Sequence, residues 1–246
     1  MPPNLSEKVP PEPTFDPQAY LQKTFRSKGI GTWNKLYLKF LEDRPDLEVL
    51  VIGAGAPDFV AAMSVKRRVA LDVGADYREG FEAAGATFIV ANIETDPIDH
   101  LGQFDVVICS DVLEHLLEPR IALARMAARL RPTGALFAHV PNEFRLGHVI
   151  RVMLGKSEAP LFHKGCNEWD DPHLRRFTER GFDRFLASEF EYRLAIHDLK
   201  FTTSARLAAR LLGRAPYAMQ PGPTFIATRN EATLADYSRR KAGIRG

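Results

Sequence analysis

Apolar residues along the chain follow two rhythms. Short, nearly unbroken runs occur at Val49–Ile52, Val69–Leu71, Thr87–Ala91, Phe104–Ser110 and Ala135–Val140, without polar alternation. That is the signature of parallel strands buried on both faces. Between them the period lengthens to that of helices. Trp33, Leu36, Tyr37 and Phe40 recur at i, i+3, i+4 and i+7, Tyr77–Ala84 forms a short helical stretch, and Leu123, Ala127 and Leu130 line one face after Pro119. Thr178 is placed to cap a helix carrying Phe182, Phe185 and Leu186. A sixth strand is predicted within Glu191–Ile196 and a last one at Thr224–Thr228. Strands alternating with helices at this spacing predict an α/β fold, a doubly wound Rossmann-like sheet of seven mostly parallel strands with a helical insertion after strand five.

The less regular stretches set the boundaries. Residues 1–17 carry six prolines and few large apolar side chains, which predicts a disordered tail. Residues 18–230 read as one domain, interrupted by an insertion or lid at 143–175 and a helical insertion at 201–221; residues 231–246 read as a basic tail. In the first insertion Leu146, Val149, Ile150, Met153 and Leu154 form an apolar stripe beside Arg145, His148 and Arg151. In the second, Arg206, Arg210 and Arg214 recur beside Leu207 and Leu211.

The first strand runs into Gly53-Ala54-Gly55 and the second ends in Asp72. Strand, glycine turn, helix, strand and terminal carboxylate make a nucleoside site, with glycines for the turn and an acid for the ribose hydroxyls. Asp58 occupies the sixth position of the glycine motif, where a dinucleotide would lay its pyrophosphate, and its charge argues against a nicotinamide oxidoreductase. Composition adds only limits. With 246 residues, 45% hydrophobic, 26% charged and a net charge of +2, the chain demands no nucleic-acid partner. Cys109 and Cys166 stand far apart, so neither a disulfide framework nor a metal centre is expected. The first residues lack the apolar core of a signal peptide, and no apolar run is long enough to span a bilayer; a cytoplasmic protein, with contact to a membrane surface possible, is the expectation.

Four blocks, VLVIGAGAPD, VALDVG, VANIE and FDVVICSDVLEHLLEPRIALARMAARLRPTGALFAHVPN, resemble class I S-adenosylmethionine-dependent methyltransferases in order and spacing. The segment Trp169–Thr178 is similar to one found after strand five in a broad branch of that family. The resemblance implies S-adenosyl-L-methionine as cofactor. Gly53, Ala54 and Gly55 would wrap its methionine moiety, Asp72 would take the ribose hydroxyls, and Val73 would pack on the adenine, beside Asn92 and Ile93. Ser110 and Asp111 would face the methyl end. Two positions depart from the pattern: Val51 stands where the family has an acid, and Pro57 replaces the third glycine of the loop. They keep open a second class of reading, a methyltransferase-fold protein that binds a regulatory partner and has no catalysis.

The acceptor is implied only in outline: a small or lipid- or glycan-linked molecule methylated most plausibly at oxygen. Such chemistry benefits from a base near neutral pH, and histidine suits it. The catalytic candidates are His115 after strand four, His163 and His173 in the insertion, and Asp111 as an orienting group; His139 and His148 are weaker ones. Phe25, Trp33 or Tyr37 could close over a ligand.

Overall fold

The computed structural model describes residues 29–155 and 173–245. The proline-rich start, Phe25, His163, Cys166 and the stretch from Trp169 lie outside those residues up to His173, as does most of the predicted lid.

Thr32–Leu41 (α1) precedes the first strand, Glu48–Ile52 (β1). There follow Asp58–Ala61 (α2), Arg67–Asp72 (β2), Arg78–Ala83 (α3), Thr87–Val90 (β3), Phe104–Ser110 (β4), Pro119–Ala128 (α4) and Leu130–His139 (β5). The second half adds Leu146–Met153 (α5), Glu179–Leu186 (α6), Tyr192–Ala195 (β6), Thr203–Leu212 (α7), Thr224–Thr228 (β7) and Glu231–Arg245 (α8). The strands form one seven-stranded sheet in the order β3-β2-β1-β4-β5-β7-β6. β7 runs antiparallel to both neighbours, and the β1–β5 pairings are parallel. The predicted sheet is therefore borne out.

Alternate residues of one strand feed opposite layers. Leu50 and Ile52 of β1 enter one apolar cluster, Val49 and Val51 the other, so both faces of the sheet are covered. Fully buried aromatic residues dominate the second cluster, where Tyr37 and Phe40 of α1 meet Phe137 of β5 and Tyr237 of α8. Thr178 caps α6 as its position predicts, accepting from the Gly181 N–H at 3.1 Å. Cys109 is buried in the core.

Two expectations need correction. The C-terminal residues are not a tail: Asn230 accepts from the Thr233 N–H, α8 begins there, and Tyr237 is buried against the sheet and held by Arg44 at 2.8 Å. The basic run Arg239–Lys241 masks its short apolar face, and Lys241 is itself drawn inward to the Ala195 carbonyl and Asp198. The fifth strand starts at Leu130, five residues before the apolar run, because Leu130 pairs with Phe104 and Arg131–Gly134 bulge out before pairing resumes between Ala135 and Val106.

Candidate active site

The parallel strands put the ends of β1, β2, β4 and β5 on one edge of the sheet, the edge where open α/β sheets bind ligands. At the end of β1, Gly53 and Gly55 have φ of +64° and +56°, a conformation that side chains resist. A Cβ on Gly53 would come within 2.2 Å of Val112, so the turn admits no side chain there. The Asp72 carboxylate accepts from Gly55 N–H at 3.0 Å through one oxygen and from Gly74 N–H at 3.1 Å through the other. Each oxygen keeps a lone pair for a ribose hydroxyl. The residues therefore fit the nucleoside expected of them: a pinned acid, a glycine turn beside it, and Val73, 61% exposed, as an apolar surface next to the acid.

The other cofactor candidates are placed less directly. The Asn92 amide oxygen accepts from Glu94 N–H at 2.8 Å and closes the turn after β3. The Ile93 side chain is in the core. Of the two departures, Val51 is also core. Pro57 caps the short α2 and packs toward Gly80, where a Cβ would lie 2.9 Å from its ring.

The end of β4 opens a second region. Ser110 donates to the buried Tyr37 hydroxyl at 3.2 Å. Asp111 takes φ of +54°, rare outside glycine, and its N–H donates to the His139 carbonyl at 3.1 Å. That kink points its half-exposed side chain into a cavity of about 720 Å³, whose walls include Trp33, Arg145, Lys200 and Gln220. His139 lies beside Asp111, fully buried. Its Nδ1 is 2.8 Å from Thr224 Oγ1, its Nε2 is 3.4 Å from Asp111 Oδ1, and the Trp33 ring covers it at 4.5 Å. Burial lowers the pKa of this imidazole, against the opposing pull of Asp111.

A third group joins two sequence candidates. Leu113–His115 forms a single 3-10 turn after β4, and Arg175 ties the returning chain to it through the Glu114 and Leu117 carbonyls. His173 is thereby brought to His115, with ring centroids 4.7 Å apart. Its Nδ1 hydrogen-bonds to Glu143, which Arg176 approaches at 3.2 Å. Glu114 is buried, neither carboxylate oxygen has a hydrogen-bond partner among the described residues, and burial followed by the nearby Asp111 pushes its carboxyl well above the usual range. Donor atoms of Glu114, His115 and His173 lie within 4.8 Å of one another, a carboxylate-and-imidazole set of the kind that holds a divalent cation. The sequence predicts no metal centre, because His173 is too distant along the chain for spacing to reveal the set.

Both insertion helices leave apolar residues uncovered. On α5 these are Leu146, Ile150, Met153 and, just beyond it, Leu154; on α7 they are Leu207, Leu211 and Leu212. The starts of both helices reach the cavity wall, at Arg145–Gly147 and at Thr202.

A family model described as a methyltransferase domain matches residues 25–191. The chain belongs to this methyltransferase family. The match sets aside the nicotinamide reading and bears out the resemblance carried by the four sequence blocks. Among curated relatives, the ubiquinone biosynthesis O-methyltransferase of Marinobacter nauticus is 29% identical over 111 residues, covering 44% of this chain and 43% of the relative. That of Vibrio campbellii is 29% identical over 153 residues, covering 57% of this chain and 65% of the relative. The chain thus spans less than two thirds of the length of either. Among solved structures, the plantazolicin methyltransferase BpumL in complex with SAH superposes with a TM-score of 0.55 at 14% identity, covering 87% of this chain and 92% of the other. The N-methyltransferase NodS from Bradyrhizobium japonicum, also with SAH, gives 0.53 at 13% identity, covering 86% and 98%. These two share the methyltransferase fold with this chain.

Proposed function

We propose that the protein transfers a methyl group from S-adenosyl-L-methionine to a hydroxyl oxygen of a small acceptor that combines an anionic group with an apolar portion. The observation that carries this reading is Asp72: its two oxygens are held by backbone N–H groups of the glycine turn and of the loop beyond it, and remain open to two vicinal hydroxyls. Gly53–Gly55, Asp72 and Val73 would hold the cofactor, with Asn92 closing the turn at the adenine end. When bound, the cofactor supplies an electrophilic methyl on a sulfonium. The protein's task is then alignment and exclusion of water. Asp111 stands where β4 passes from the cofactor edge into the cavity, and Trp33 on α1 forms part of the cavity wall.

The choice of acceptor rests on the cavity and on the relatives. Arg145 and Lys200 line it and favour an anionic group. Two relatives are named as O-methyltransferases of ubiquinone biosynthesis, which favours oxygen over nitrogen and a partly apolar acceptor. The uncovered Leu146, Ile150, Met153, Leu207 and Leu211, interspersed with Arg145, Arg151, Arg206 and Arg210, suit delivery of such an acceptor from an anionic bilayer surface. No helix among the described residues is long and apolar enough to cross a membrane.

The test is a transfer assay with methyl-labelled S-adenosylmethionine and two probes, catechol and a catechol bearing a long alkyl tail, each with and without anionic vesicles. Label is expected in a methyl ether, with the tailed probe preferred when vesicles are present. Failure of the protein to bind S-adenosylhomocysteine in a calorimeter would overturn the proposal.

A further inference from the structure

We infer that Asp111 and His139 form a one-proton couple that takes the hydroxyl proton of the methyl acceptor, Asp111 touching the acceptor and His139 setting the couple's proton affinity. The inference rests on the proposed methyl transfer to oxygen and says where the proton goes.

Hydrogen-bond accounting around His139 carries it. The Thr224 hydroxyl lies 3.0 Å from the Gly222 carbonyl, which can only accept, and the hydroxyl's single proton is assigned there. Toward His139 Nδ1, 2.8 Å away, the same oxygen can then only accept. On that assignment Nδ1 is the protonated nitrogen of the neutral ring, and Nε2 carries a bare lone pair. That lone pair faces Asp111 Oδ1 at 3.4 Å. Two acceptors confront each other with no proton between them, and the gap is slightly longer than a hydrogen bond. One proton entering from the cavity satisfies both.

The surroundings keep the couple in place. β4 and β5 are in register at Ser110 and His139, and the left-handed turn at Asp111 brings its side chain back toward the imidazole. Trp33 covers the ring. A Cβ on Gly222 would sit 2.1 Å from the Val140 carbonyl and 2.5 Å from His139 Cε1, so only glycine lets the β7 approach close against this ring. The other charged or titratable groups near the imidazole are Arg145 at the start of α5, His197 after β6 and, on the cavity wall, Lys200. In the reaction the acceptor O–H bond breaks and its proton passes to the couple. The acceptor oxygen bonds the methyl carbon as the carbon–sulfur bond breaks, and that electron pair stays on sulfur.

The first test needs neither acceptor nor cofactor. Nitrogen NMR of the imidazoles in the full chain, with His139 assigned by its loss in His139→Gln, is expected to show Nδ1 protonated and Nε2 bare above the ring's titration. Asp111→Asn is expected to shift that titration. An Nε2–H tautomer, or a titration indifferent to Asp111, overturns the inference. The second test uses the tailed catechol. Asp111→Asn is expected to lower kcat by about a hundredfold or more, the lower end for a lost general base, with S-adenosylhomocysteine binding retained. His139→Gln is expected to lower kcat less and to move the acid limb of the pH–rate profile to lower pH, toward that of a lone carboxylate. An unmoved limb would show that His139 is structural and would overturn its part. Loss of S-adenosylhomocysteine binding in the unaltered protein would instead count against the methyltransferase reading itself, leaving the tautomer result to stand alone.

Discussion

The half of the molecule that would hold the cofactor and the half that would hold the acceptor are built on opposite terms. From β1 to β5 the apolar side chains of the strands are mostly covered, because helices lie on both faces of a parallel sheet. From α5 to α7 the apolar side chains of two helices face outward. In the first half, structure is dictated by burial, and loop chemistry such as the Asp72 bonds is added on top of a rigid frame. In the second, the two helices begin at the cavity wall and their exposed apolar side chains add little to the core. On the proposed function the covered sheet and the two uncovered helix faces carry different tasks, and substitutions in them should separate in the same way.

The largest expected effect on stability lies where α8 closes the core. Tyr237→Ala should lower the unfolding free energy by about 3–5 kcal/mol, as for other large aromatic truncations, read as a fall in the denaturant midpoint. A change below 1 kcal/mol would mean that the C-terminal residues do behave as a tail. Gly53→Ala is next: a side chain forced into a left-handed turn and against Val112 should cost about 2–3 kcal/mol and weaken cofactor binding together with stability. A smaller effect is expected from His197, whose pKa burial lowers despite Glu179 at 3.5 Å. Its folded value lies below the unfolded one of about 6.5, so as pH falls below that point the unfolded chain takes up a proton first and stability drops. His197→Gln should flatten this drop in thermal melts taken between pH 6.5 and pH 5, by at most about 1.4 kcal/mol per pH unit. The smallest effect on stability belongs to the open half. Met153→Glu with Leu211→Glu should alter it by no more than about 0.5 kcal/mol per site, yet reduce co-sedimentation with anionic vesicles. If stability falls instead, those faces are covered after all.

How far each half could be read from the sequence follows from the same contrast. Residues such as Val49–Ile52 and Val106–Cys109 are legible because burial on both sides leaves no room for polar alternation. Asp72 and the glycine turn are legible because a nucleoside needs them close in sequence. Thr178 is legible through its capping chemistry; Asn230 carries the same signal before α8, but the basic run after it obscures the helix. The acceptor site is different. His139 meets Thr224 on the antiparallel β7, and His115 meets His173, each far away along the chain, so spacing carries no trace of either pair. His139 has the surroundings of a buried strand residue, and only the positive φ of Asp111 brings a cavity-wall side chain beside it.

One measurement bears most directly on whether the half from β1 to β5 is a cofactor site: calorimetric titration of S-adenosylhomocysteine into the full chain and into Asp72→Ala. One molecule per chain is expected to bind the unaltered protein, with affinity reduced by about tenfold to a hundredfold in the variant, since hydrogen bonds to a charged acceptor are worth about 1.5–3 kcal/mol. No binding to the unaltered protein, or equal binding to both, would contradict the assignment.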